Sequence, residues 1–217
     1  MKQTILILIF SVISTSSFAQ INTELIKKNV TENPKENFYK LLEIFKSNPS
    51  ELTQDQLNQL YYGSKFVKID YTIGSYNSES GTFWKPAHRK LSKSKAEKIV
   101  KEAQLKYLKN PLNKNLLGDM VNIYSALNEN QKADLCSKQK ELIIQTIKKS
   151  GDGKSEETAI CVLTAGEVLQ QLEKLIQSGP RAQFDQKMKQ LSDGSVLTIY
   201  KIGDREVFVK LVGGFFL

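Results

Sequence analysis

The amino-acid sequence predicts an α+β fold, mainly stacked antiparallel helical hairpins resembling helical repeats, with a small C-terminal antiparallel β-meander. Three observations carry this. Apolar residues recur at three- and four-residue steps through most of 34–176, the period of amphipathic helices. Thr53-Gln54-Asp55-Gln56 and Ser94-Lys95-Ala96-Glu97 have the form of capping boxes, which open helices. Beyond Gly179-Pro180 the residues turn β-branched and aromatic, and two such runs flank Gly203-Asp204.

Residues 1–19 read as a signal peptide, with Lys2, an apolar run over 5–13, and Ser17-Phe18-Ala19 before Gln20. The run is shorter than the roughly 20 residues that cross a bilayer, so cleavage after Ala19 is expected, leaving 20–217 as a single domain with no transmembrane segment. Export places the protein in the periplasm or outside the cell. Residues 20–31 read as an irregular arm or frayed helix. A helix follows from Pro34, with Phe38, Leu41, Leu42, Ile44 and Phe45 on its apolar face. The next starts at Thr53, buries Leu57, Leu60 and Tyr61, and stops at Gly63. Residues 64–92 mix aromatics with Gly, Ser and Asn and read as a long ordered loop, a length common in segments that bind something or cover a groove.

Helices resume at Ser94 and break at Asn110-Pro111; the following helix carries Leu116, Leu117, Met120, Ile123 and Tyr124 and turns at 128–130. The stretch 141–176 reads as a helical hairpin. Ile143 and Ile147 mark one stripe, and Ala159, Val162, Ala165, Leu169, Leu172 and Ile176 mark the other, across a break at 148–155. Three strands are expected near 184–211, joined at Asp193-Gly194 and Gly203-Asp204. Gly213-Gly214-Phe215-Phe216-Leu217 is a short apolar tail.

The formal charge is +8. The lysines are interspersed with glutamates and not gathered on one stripe, so ordinary solubility explains the charge better than nucleic-acid binding does. There are two cysteines, Cys136 and Cys161. In the hairpin register they are offset by roughly 12 Å, beyond the roughly 7 Å Cα separation a disulfide tolerates. Two buried free thiols are expected, and a disulfide would overturn that register.

Chemical motifs are weak. Gly153-Lys154-Ser155 ends like a phosphate loop, but Lys148 stands where the first glycine belongs, and a helix precedes it instead of a strand. Asp152, Glu156 and Glu157 lack the spacing of a calcium loop, and acidic residues suit a helix start. His88 is the only histidine and sits among Lys85, Arg89 and Lys90, so no multi-histidine metal site can form. No metal or cofactor is expected. No carboxylate pair or nucleophile elbow stands out, and the catalytic residues are unassigned. The least bland feature is aromatic: Tyr61, Tyr62, Tyr71, Tyr76, Phe83 and Trp84 are candidates to line a groove for a protein, peptide or glycan. The competing reading is that they pin the 64–92 loop to the helices.

Four segments together resemble a known family: Leu60-Tyr61-Tyr62-Gly63, Asn110-Pro111-Leu112-Asn113, Ser150-Gly151-Asp152-Gly153 with Thr158-Ala159, and Ile199-Tyr200. In that order they resemble domain of unknown function 4919, a family of secreted bacterial proteins found chiefly in Bacteroidetes, over about residues 30–212. The resemblance implies export and assigns no catalytic residue. The reading that follows is a noncatalytic secreted or periplasmic interaction domain. Its alternative is a hydrolytic enzyme whose site is assembled from distant residues near the 61–92 loop. Oligomeric state is open.

Overall fold

A computed structural model describes residues 21–67, 69, 91–168 and 185–214. The fold is α+β, with helices leading into a four-stranded mixed sheet. The 20–31 arm is an ordered helix, α1 (Thr23–Glu32), opened by Asn22, whose side chain accepts from the Leu25 N–H. Ile26 and Val30 are its only large buried apolar residues, too few for a clear periodic signal. A π turn (Lys35–Tyr39) runs into α2 (Lys40–Ser47), which buries Leu41, Leu42 and Phe45. α3 (Gln54–Gly63) opens on the expected capping box, with both arms formed between Thr53 and Gln56. Gly63 lets α1 approach closely: a Cβ there would stand 2.7 Å from Val30 Cγ1.

α4 (Lys93–Lys109) starts earlier than expected. Its cap is Ser92, with no side-chain cap bond, so the Ser94–Glu97 pattern lies inside the helix. Its 17 residues hold six lysines and two glutamates, a net +4 out of the chain's formal +8. α5 (Lys114–Ala126) is capped by Asn113, whose Oδ1 accepts from the Asn115 and Leu116 N–H groups. Asn128 takes a φ of 61° in the turn, a conformation asparagine tolerates, and α6 (Asn130–Lys149) packs back on α5. This pair is the long helical hairpin, and α6 also touches α3 and the sheet.

The hairpin expected across 148–155 is not there. Residues 151–159 form turns, and Ile160–Val162 is a strand, β1. Ile160, Cys161, Val162 and Leu163 are all buried. A short run buried on every side has neither helical nor strand periodicity, and the Ala159–Val162 step mimics a helix by coincidence. Helical structure begins at 165, and Leu169, Leu172 and Ile176 lie outside the described residues.

The C-terminal meander forms as expected, with β2 (Asp185–Gln190), β3 (Val196–Ile202) and β4 (Arg205–Leu211) antiparallel in sequence order. Gly203 alone in the β3–β4 turn has positive φ, 60°, the pattern of a two-residue II′ hairpin. The addition is β1, which pairs parallel to β4 with Cys161 opposite Lys210, giving the order β1-β4-β3-β2. Val207, Val209, Leu211 and Tyr200 share one buried cluster with the helices.

Cys136 and Cys161 are buried free thiols, for a different reason than the hairpin register. The Cys161 N–H donates to Ser150 at the end of α6, while Cys136 lies 14 residues earlier on that helix, about 21 Å along its axis.

Candidate functional site

One buried polar centre among the described residues is built around Glu167. Thr164 and Glu167 close a reciprocal cap at the helical turn 165–168: Thr164 Oγ1 accepts from the Glu167 N–H at 3.3 Å, and Glu167 Oε2 accepts from the Thr164 N–H at 3.3 Å. Oε2 also accepts from the Leu163 N–H at 2.9 Å. Oε1 points away from the cap and accepts from Tyr61 on α3 at 2.7 Å and from Lys114, the first residue of α5, at 2.6 Å. All three side chains are buried. A carboxylate offers about four lone-pair sites, and these four donors occupy them, so Glu167 is a saturated tie between α3, α5 and the chain leaving β1. Lys65 stands beside it; burial pulls its ammonium below the ordinary lysine range, and the Glu167 charge opposes that shift.

Tyr62 extends the same centre. Its ring meets Tyr61 edge-on at 5.0 Å, and its hydroxyl donates to the Cys161 carbonyl at 3.2 Å. Burial raises the Tyr62 phenol well above its usual value. Burial likewise pushes the Cys161 thiol up to about 12 and the Cys136 thiol up to about 11, so both are protonated near neutral pH. Ser150 accepts from the Cys161 N–H and donates to the Ile147 carbonyl, which fixes β1 against the end of α6.

A second buried pair ties α1 to the sheet. Lys210 Nζ lies 2.8 Å from Asp193 Oδ2 and 3.2 Å from Thr23 Oγ1, and the Thr23 hydroxyl donates to the same carboxylate. Burial alone would raise the Asp193 carboxyl, but the hydrogen bonds from Lys210, Thr23 and the Ser195 N–H outweigh it and hold the group down to about 2.

An open groove of about 400 Å³ lies between the π turn and α3. Its polar side chains serve the fold: Glu36 pairs with Lys40, Asn37 donates to the Asn29 carbonyl, and Gln59 accepts from Asn29.

A model of the family DUF4919, domain of unknown function, matches residues 24–189. The chain belongs to this family. No curated protein and no solved structure matches it. In this DUF4919 domain, three of the four segments behind the family resemblance meet at the buried centre. Leu60-Tyr61-Tyr62-Gly63 supplies both phenols, Asn113 caps the helix that begins with Lys114, and Ser150 anchors β1. The match ends inside β2, yet the sheet's two inner strands lie beyond it.

Of the six aromatic candidates, Tyr61 and Tyr62 are core residues with internal hydrogen-bond partners. Tyr71, Tyr76, Phe83 and Trp84 lie outside the described residues, as does His88. The sequence reading did not single out Lys114, Glu167 or Lys210, and it placed Asp193 only in a turn. A signal for Glu167 was available, since Thr164-Ala165-Gly166-Glu167 has the capping-box form. Nothing local marks Lys114, which sits 53 residues away from its partner.

Proposed function

We propose that this DUF4919 domain is an exported, noncatalytic interaction domain, working in the periplasm or outside the cell through the outer face of α4. The observation that carries this is the exposure of Leu105 and Leu108, at 62% and 66%, on a helix whose other side is seated in the core. Two large apolar side chains one turn apart on one helix form a joint contact point. The buried centre supports the same reading, because its carboxylate is already filled by donors from the fold and its thiol, Cys161, is held protonated. Export is supported by residues 1–19, whose charge, apolar run and small residues suit cleavage before Gln20.

The reading is tested with a photo-crosslinking amino acid placed at 105 or 108 in the full chain expressed in cells, with exposed Glu24 on α1 as the control site. Adducts at 105 and 108 and none at 24 are expected, together with an N-terminus at Gln20 in the mature protein. Absence of adducts at the α4 positions, or a retained residue 1, overturns it.

A further inference from the structure

The outermost arc of α4 combines apolar and cationic groups in a way that selects a kind of partner. Ala96 and Ala103 are buried and Ile99, Val100 and Tyr107 half-buried, which fixes the inward direction of this helix. At 3.6 residues per turn, the arc of about 100° directly opposite holds Ser94, Lys98, Lys101, Leu105, Leu108 and Lys109, all exposed. It contains three ammonium groups, two leucines and no carboxylate. The helix's two glutamates flank the arc, and one of them, Glu102, is 3.6 Å from Lys106.

We infer that this arc docks on an anionic phospholipid surface, leucines entering the headgroup boundary and lysines meeting the phosphates. The inference rests on the interaction-domain reading and names its partner. Lysine is depleted at protein–protein contacts, whereas leucines beside lysines on an exposed helix face supply together the apolar burial and the attraction to anionic lipid that hold a helix at a membrane interface. Each lysine near an anionic surface adds attraction that salt screens, and the leucines add apolar burial that salt does not weaken. No described helix is long and apolar enough to cross a membrane, so the contact is peripheral.

The test is co-sedimentation of the full mature chain with vesicles of equimolar phosphatidylglycerol and phosphatidylcholine, beside vesicles of phosphatidylcholine alone. Wild type is expected to pellet with the anionic vesicles only, less so as salt rises. Leu105→Ser/Leu108→Ser and Lys98→Glu/Lys101→Glu are each expected to weaken binding by roughly tenfold or more with unchanged circular dichroism, since these side chains face solvent. Lys148→Glu/Lys149→Glu removes the same charge from an exposed end of α6 and is expected to stay within roughly twofold of wild type. Equal losses in both lysine variants, or no loss in the leucine variant, would show attraction by net charge alone and overturn the inference. Failure to pellet with anionic vesicles also overturns it. If Leu105 still crosslinks to a protein in cells, the interaction reading survives that failure; if it crosslinks to nothing, both fall.

Discussion

At the scale of single residues, the buried ties are the features most sensitive to change. Glu167→Gln replaces a carboxylate that faces only donors with a group that is itself a donor. It removes the charge that Lys114 meets at 2.6 Å, and a loss of about 3–5 kcal/mol is expected in urea unfolding. Tyr61→Phe removes one hydrogen bond from the same oxygen and is expected to cost about 1 kcal/mol. Asp193 gives a pH signature. Its folded carboxyl, at about 2, lies below the unfolded value of about 3.9, so its contribution is complete above about pH 5 and is lost as pH falls toward about 2. The urea midpoint should drop across that window, and more shallowly in Asp193→Asn; equal slopes would remove Asp193 from the acid transition. Both thiols should resist a disulfide reagent at pH 8 in the native protein and react in denaturant. None of these ties was legible beforehand except as a cap at Thr164, because a buried ion pair between residues far apart looks in sequence like two ordinary surface charges. The tyrosines were ambiguous for the opposite reason: an amphipathic ring suits a groove and a core equally.

Elements were legible wherever a local signal agreed with tertiary packing. The Thr53 box, the Asn110-Pro111 break, the turn near Asn128 and the two glycine turns of the meander all stand where the chain's own stereochemistry puts them. β1 was not legible, because its parallel partner is distant and its run is too short and too uniformly apolar to show a period. The loop before it is held just as tightly. A Cβ on Gly151 would lie 2.2 Å from the Thr158 carbonyl oxygen and 2.4 Å from that of Ala159, backbone atoms that cannot rotate away. Gly151→Ala is therefore expected to cost about 3 kcal/mol and to loosen β1 first, seen as faster amide exchange at Cys161. Gly166, with nothing within 4 Å of its would-be Cβ, is the contrast. Gly166→Ala in the helical turn should gain about 0.5–1 kcal/mol, and a loss there would mean the turn is strained in a way its contacts do not reveal.

For the molecule as a whole, the α+β class followed from the change of period along the chain, while the way helices and sheet join did not, since that depends on β4 lying between β3 and β1. A chain ending at Gln190, just past the family match, keeps the outer strands β1 and β2 and loses both strands that hold them. Such a chain should retain a helical spectrum, bind a hydrophobic dye and lose its cooperative thermal transition. The pairing of Ile160 with Val209 also orders events in time. A polypeptide that emerges N-terminus first shows α1 to α6 before β4 exists. β1 then waits 49 residues for its partner, and β4 is the strand that locks it in place. Until β4 has folded, β1 therefore presents an open edge beside Cys161, and the seam between helices and sheet closes only with that parallel pairing.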